Sequence, residues 1–228
     1  MKLSIKTNRP ENILGFGYLV LYQLFLPTII AFVADFMGFY LTLTTLNIIF
    51  FVVNFICVLA IFHRFLEASL KAAWDKKWRC LLFVFFGLLL YFASLFLLGF
   101  VNVLIKPDFS NVNDNNIAGL IQENASWMYA CTVFLVPVVE EVIFRGLIFQ
   151  NLQQKNRLLA YLVSVVVFSM IHVVGYIGST DWLTLALCFL QYLPAGLILA
   201  WAYEKTDTVI TPILIHILIN AVGTASLR

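Results

Sequence analysis

The segment Cys80–Val103 reads CLLFVFFGLLLYFASLFLLGFVNV and contains no charged residue in 24 positions. A helix that crosses a lipid bilayer needs about 20 mostly apolar residues. This segment therefore predicts a transmembrane helix.

Six further segments, on both sides of this one, have roughly the same length and apolar character. They are Leu14–Phe36, Leu41–Phe62, Trp127–Gln150, Leu158–Ile177, Trp182–Tyr203 and Thr208–Ser226. We predict an all-α, polytopic transmembrane bundle of about seven spanning helices. An eighth, re-entrant element around Ile117–Gln122 is the alternative count.

The composition supports this fold class. Hydrophobic residues make up 62% of the chain and charged residues 11%, whereas soluble domains carry about a quarter charged residues. Most of the exterior is therefore expected to face membrane lipids, which we predict as partners. The net charge of +2 gives no basic field, so nucleic acid is not predicted as a partner.

The distribution of Lys and Arg predicts the orientation in the cell membrane. With the N-terminus in the cytoplasm, the outer segments hold only Lys106 and the C-terminal Arg228. The inner segments hold Lys2, Lys6, Arg9, Arg64, Lys71, Lys76, Lys77, Arg79, Lys155, Arg157 and Lys205. Because cytoplasmic loops are enriched in Lys and Arg, we predict a multi-pass protein with its N-terminus inside and its C-terminus outside.

Two stretches between the predicted helices have distinct characters. Lys106–Ser126 is rich in Asn and Asp and is expected to form a solvated outer loop. Arg64–Arg79 is basic, with Leu and Trp at near-helical spacing, which predicts an interfacial amphipathic helix on the cytoplasmic face. Contact with anionic lipid is the simpler role for that helix, and docking of a partner is the alternative.

Ionisable residues within spanning helices are costly and are candidates for function. Glu140, Glu141 and Arg145 lie in the otherwise apolar fourth segment. Glu141 and Arg145 are four residues apart and can pair on one helix face. Glu140 projects about 100° away from Glu141 and has no such partner on its own helix.

The other buried polar residues of interest are His172 in the fifth segment and His216 with Asn220 in the seventh. By helix rise, Glu140, His172 and His216 each lie about 12–23 Å from the cytoplasmic ends of their helices, so they could meet in one layer. A buried carboxylate can act as a general base toward water, and an imidazole or amide can stabilise an oxyanion. Glu140, His172 and His216 also form a His₂Glu set, which binds zinc in many catalytic sites.

Three motifs occur in order on separate predicted helices: Glu140-Glu141-Val-Ile-Phe-Arg145, Phe168-Ser-Met-Ile-His172 and His216-Ile-Leu-Ile-Asn220. This combination resembles the CPBP family of intramembrane proteases, also called the Abi or CAAX-protease family. That family includes Rce1-type prenyl endopeptidases and bacteriocin-immunity proteins. The resemblance covers roughly residues 127–221, and the first three helices carry no matching motif.

The resemblance implies roles for these residues. Glu140 would activate water with His172 beside it, and His216 and Asn220 would stabilise the oxyanion. Glu141, Arg145 and Phe168 would support them. The resemblance leaves open a metalloprotease mechanism, with zinc on Glu140, His172 and His216. The chain has no HExxH motif, so we favour a metal-free site and assign no certain cofactor.

The resemblance also divides the chain and suggests its activity. Residues 1–126 would hold the N-terminal helices, the interfacial segment and the outer loop, and residues 127–228 the catalytic helices, within one membrane domain. We expect an intramembrane endopeptidase, a hydrolase that cleaves a membrane-associated or lipidated peptide or protein. The alternatives are a non-catalytic bacteriocin-immunity or interaction protein and a small proton-coupled transporter.

Overall fold

The computed structural model describes residues 3–226, and it is built from α-helices without a strand in that range. The charges of Lys2 and Arg228, used above to orient the chain, lie outside the described residues. The first helices are α1 (Arg9–Leu24), α2 (Leu26–Phe36), α3 (Leu43–Ile61), α4 (His63–Asp75), α5 (Lys77–Ile105) and α6 (Val112–Glu123). A continuous helix, α7, then spans residues 125–153, and α8 (Arg157–Ile171), α9 (Trp182–Thr206) and α10 (Ile210–Ala225) complete the bundle.

The lengths and apolar character of these helices fit a membrane protein. Within residues 3–226, three helices, α3, α5 and α9, are long and apolar enough to cross a bilayer. The pair α1 and α2, bent by 64° near Phe25, would form a fourth crossing if it is one span. Large hydrophobic side chains such as Phe32 and Phe96 are 70% and 83% exposed, as expected for surfaces in contact with lipid.

One end of the bundle gathers the basic residues and a layer of polar contacts. Arg157 pairs with Glu204 at 2.7 Å, and Lys76 pairs with Asp207 at 3.6 Å. Three more bonds tie the N-terminal segment and α4 to this layer. They are Ser4 N to Asp207 Oδ1 (2.8 Å), Phe65 N to Glu11 Oε1 (2.9 Å) and Thr208 Oγ1 to Ser69 O (2.7 Å). We call this end of the bundle the basic end.

The opposite end is joined by a different set of contacts. Lys106 Nζ lies 2.9 Å from Asp181 Oδ2, and this hydrogen bond holds the pKa of Asp181 well below its usual range. Thr44 donates a hydrogen bond to Glu123 across α3 and α6. These contacts join the start of α3, the end of α5, the end of α6 and the start of α9 at this opposite end.

The stretch Lys106–Ser126 is not simply a solvated loop. Residues 112–123 form α6, capped by Asn111, whose side chain accepts a hydrogen bond from Asn113 N at 3.0 Å. Leu120 and Ile121 are buried in a small cluster with Met128. The apolar residues at helical spacing give α6 one face that packs on the bundle, although its other face is polar.

The fifth predicted segment is shorter than expected. It ends at Ile171, and a 3₁₀ turn, Val174–Tyr176, follows. Gly178 then adopts a φ of +90°, which an L-residue rarely takes, and this turns the chain toward α9. His172 is consequently the cap residue at the end of α8 and not a residue within a helix.

Candidate active site

Glu140 and Glu141 lie on α7 between two stretches of π-helix, Cys131–Leu135 and Val142–Phe149. Such wide turns inside α-helices are frequent at functional sites. Both glutamates are buried, with Glu140 7% exposed and Glu141 fully enclosed. The two glutamates therefore lie at the end of a short α-helical stretch, Val136–Glu141, that has wider turns on both sides.

Glu140 faces both imidazoles that the sequence singled out. Its Oε2 lies 4.0 Å from His172 Nε2 and 3.9 Å from His216 Nε2. These separations are too long for direct hydrogen bonds and suit a single bridging water. Within residues 3–226, Glu140 Oε2 is buried and has no hydrogen-bond partner.

The negative charge of Glu141 is balanced by Arg145 on the same helix. Arg145 approaches it with two nitrogens, Nη1 to Oε1 and Nε to Oε2, each at 3.1 Å, which confirms the predicted pair. Arg145 Nη2 also donates to Gly196 O on α9 at 3.1 Å. A third group completes the network, because His216 Nδ1 lies 2.8 Å from Glu141 Oε1. Glu141 thereby fixes the imidazole that faces Glu140, a contact that the spacing of the motifs did not predict.

Phe168 packs against the same groups. The guanidinium of Arg145 lies over its ring, 4.5 Å from the centroid. The rings of His172 and His216 have centroids 4.9 and 5.9 Å from that of Phe168. Phe168 thus contacts the guanidinium and both imidazoles, and it limits the orientations that the two histidine rings can take.

His172 is held by two contacts. Its Nδ1 lies 2.8 Å from Phe168 O, which can only accept, so Nδ1 carries the proton and Nε2 faces Glu140. Tyr192 stacks on the other side of the ring, with centroids 4.2 Å apart and an interplanar angle of 22°. Tyr192 belongs to none of the three motifs, and no spacing signal in the sequence identifies it.

Asn220 makes a specific contact with the backbone of α7. Its Nδ2 donates to Thr132 O at 2.9 Å. In this π-helical turn the N–H of Val136 bonds Cys131 O, and the following residue is Pro137, which has no N–H. Thr132 O is thereby left to a side-chain donor, and Asn220 supplies it. An amide nitrogen carries two hydrogens, so the second remains for a ligand.

These groups form the floor of a cavity of about 540 Å³. Glu140, His172, His216 and Asn220 all line it, and Tyr192 and Thr132 lie beside them. Asn111, Asn113, Asp114 and Asn116 of the α6 region form part of its wall. The segment expected to be an outer loop therefore belongs to the site, and its polar composition alone did not indicate this.

The donor set of the site bears on whether it could hold a metal. Glu140, His172 and His216 offer one carboxylate and two Nε2 atoms, the chemistry of a catalytic zinc site. In the part of the chain that the structure describes, no group of three or more His, Cys, Asp or Glu side chains has the arrangement of a metal site.

Comparison with known proteins relates this site to a family. Residues 122–222 match the family described as type II CAAX prenyl endopeptidase Rce1-like. These residues include all three motifs, so the resemblance to the CPBP family is confirmed for this part of the chain. The match relates this part of the chain to endopeptidases, a class of hydrolases.

One curated relative also matches. The UPF0177 protein YxdF of Lactococcus lactis subsp. lactis (strain IL1403) is 30% identical over 94 residues, which are 41% of this chain and 46% of YxdF. The match thus spans about half the length of this relative. No solved structure matches the chain.

Proposed function

We propose that this chain, whose residues 122–222 are those of a CAAX-protease-like segment, is an intramembrane endopeptidase in which Glu140 activates the attacking water. One observation carries the proposal. A buried carboxylate oxygen, unpaired among the described residues, faces two imidazoles at the floor of a cavity. Glu141 Oε2 also lacks a hydrogen bond among the described residues, but Arg145 Nε lies 3.1 Å from it. Glu141 Oε1 pairs with Arg145 and His216, so this carboxylate, unlike that of Glu140, has a neighbouring cation that explains its burial.

The proposed reaction begins with a water between Glu140 and the imidazoles. Glu140 accepts a proton from this water as the oxygen attacks the carbonyl carbon of the scissile amide, a general-base step. The proton then moves from Glu140 to the amide nitrogen as the carbon–nitrogen bond breaks. His172 accepts a hydrogen bond from the water through Nε2, which is the free nitrogen because Nδ1 donates to Phe168 O.

The oxyanion formed by the attack needs donors. The second N–H of Asn220 is available, because only one is needed for Thr132 O. His216 lies on the same face of α10, one turn before Asn220. We propose its imidazolium form as the other oxyanion donor, because Nδ1 donates to Glu141 Oε1 and a donor at Nε2 requires a second proton. Donors preorganised in a buried site stabilise such charge more effectively than water does.

The test uses the purified protein in liposomes and a library of quenched fluorescent peptides, with and without a prenyl group. Glu140→Gln preserves shape and removes basicity, so cleavage should fall by about 10²–10⁴ in rate. His172→Ala should lose activity similarly. Glu67→Gln, at an exposed carboxylate on α4, is the matched control and should cleave at the parental rate.

Two outcomes would contradict the proposal. A folded Glu140→Gln protein with full activity would exclude Glu140 as the base. Loss of activity with a strong zinc chelator, restored by added zinc, would replace the metal-free mechanism with a metal-dependent one. An interaction or immunity protein that works by binding alone would keep its function in Glu140→Gln.

A further inference from the structure

The cavity occupies the middle of the bundle and the half remote from the basic end. Each spanning helix that lines it does so through residues in its middle or in the half remote from the basic end. On α9 the lining residues are 191, 192 and 195, and on α10 they begin at His216. On α7 the lining ends at Glu140.

Between Glu140 and the basic end the bundle is closed. Arg145, Phe149 and Gln150 follow on α7, and each is fully buried. Tyr203 on α9 donates to Gln150 Oε1 at 3.3 Å, and Thr7 N donates to the same oxygen at 3.3 Å. This layer separates the glutamates from the basic end, so a substrate cannot approach from that side.

The side of the membrane follows from the charges. The basic end holds Arg64, Lys76, Arg157 and Lys205, and by the excess of Lys and Arg on cytoplasmic segments it faces the cytoplasm. The mouth of the cavity therefore faces the outer side. Its rim includes α6, the far end of α10 at Gly223 and Thr224, and Asn47 near the start of α3.

The cavity wall has a defined chemistry. Amide side chains line it at Asn47, Asn111, Asn113, Asn116, Gln191 and Asn220. Amides offer donors and acceptors that match those of a peptide backbone. Asp114 and Glu140 are the acidic members, and no Lys or Arg is present among the described residues that line the cavity. Such a wall attracts cations and neutral amides and repels phosphate-bearing headgroups.

From these observations we propose that the site takes a polypeptide presented at the outer face of the membrane, in an uncharged or cationic segment whose backbone binds the amide wall. This assignment rests on the proposed function for its chemistry, and on the cavity and the charges for its direction of access. An inner-face substrate, such as a cytoplasmic lipidated tail, would meet the closed layer around Gln150.

Access can be measured without any hydrolysis. In a background with Cys57, Cys80, Cys131 and Cys188 replaced by Ala, single cysteines are placed at Leu95 and Ile117, which line the cavity and have no proposed catalytic role. Trimethylammonium-ethyl methanethiosulfonate, which does not cross membranes, should modify both in intact cells. Lys155→Cys, exposed at the basic end, should react only in inverted vesicles. Modification of the cavity positions only in inverted vesicles, or from neither side, would overturn the proposal.

The preference for cations is tested with a reagent of opposite charge. The sulfonate analogue should react with Leu95→Cys more slowly than the ammonium reagent. The rate with the ammonium reagent divided by the rate with the sulfonate reagent should be about tenfold higher at Leu95→Cys than at Ser179→Cys, an exposed outer position. Asp114→Asn should reduce this difference. Equal ratios at the two positions would overturn the assignment of a cationic or neutral segment.

A final experiment distinguishes access from the outer face from the endopeptidase activity. Quenched peptides of positive, zero and negative charge are given to intact cells and to inverted vesicles that carry the parental protein. Cleavage of neutral and cationic peptides by intact cells alone supports both proposals, and cleavage only in inverted vesicles overturns outer access. Outer labelling of Leu95→Cys without cleavage on either side would leave outer access supported and overturn the endopeptidase activity.

Discussion

Glu140 and Glu141 are adjacent in sequence and have opposite surroundings. Simple helix geometry predicted this difference, because a residue four positions from Glu141 is a cation and none stands in that relation to Glu140. The contact between Glu141 and His216 could not be predicted in this way, since it depends on how α10 is placed against α7. Tyr192 was missed for the same reason, because its stacking on His172 depends on the packing of α9 against α8.

The ion pair on α7 gives a prediction for stability. Arg145→Ala strands the carboxylate of Glu141 in a site without solvent and should cost about 3–5 kcal/mol. The double change Glu141→Gln with Arg145→Met should recover part of this loss, measured as resistance to denaturation in detergent. Lys106→Ala, which breaks an exposed pair with Asp181, is the control and should have a far smaller effect. No recovery in the double variant would argue against a stabilising pair.

A second prediction concerns the carbonyl of Thr132. Asn220→Ala leaves that buried acceptor without its donor and should destabilise the protein by about 1–3 kcal/mol. Adding Pro137→Ala supplies a backbone N–H five residues after Thr132, where it can donate to Thr132 O. This change should restore part of the stability. Asn47→Ala removes an exposed amide and should change stability by less than about 0.5 kcal/mol.

Activity should respond differently from stability in these variants. Asn220→Ala should slow peptide cleavage by about 10²–10³, as expected for a lost oxyanion donor. Pro137→Ala should not restore this rate, because it replaces only the structural bond. Recovery of both properties together would mean that Asn220 acts only through Thr132 O.

At the scale of the helices, hydropathy predicted the long apolar helices α3, α5 and α9. It did not predict the bend between α1 and α2, the early end of α8, the helix α6 or the π-helical turns of α7. The long apolar helices were predicted because their length alone distinguishes them. The helix α6 was not, since its asparagines favour turns and only Ile117, Leu120 and Ile121 give it an apolar face. The π-helical turns of α7 were also unpredicted, because they are produced by packing and carry no pattern of hydrophobicity.

The contact between α5 and α10 gives a prediction at this scale. A Cβ on Gly87 would lie 2.6 Å from Ile215 Cδ1, next to His216 in sequence. Gly87→Ala should therefore cost about 1–3 kcal/mol, and adding Ile215→Val, which removes that methyl group, should reverse most of the loss. Gly99→Ala on the same helix, with no atom within 4 Å, should be tolerated. An equal effect at both glycines would contradict the proposed tight packing.

For the whole molecule, the alternation of charged segments predicted which helix ends lie together. The structure gathers those ends through contacts such as Arg157–Glu204 and Lys76–Asp207. The sequence could not show that the cavity reaches the site from one end only. That property arises from which residues fill the layer around Gln150, and no single segment encodes it.

The orientation itself remains a prediction. An impermeant thiol reagent added to intact cells should modify a cysteine at Asn113 on α6 and not one at Ala72 on α4. In inverted vesicles the pattern should be exchanged. The reverse pattern would overturn the orientation, and equal labelling of both positions in intact cells would contradict the number of crossings.

The closed layer beneath Glu140 has a consequence for the cell that carries this protein. Hydrolysis inside a bilayer requires water at mid-depth, yet a continuous wet path would discharge the proton gradient on which the cell depends. Here the side chains of the layer at Arg145, Phe149, Gln150 and Tyr203 are buried. A water-filled cavity that opens at one face of the membrane therefore does not extend to the other face. The bundle can admit water to Glu140 while the membrane around it stays energised.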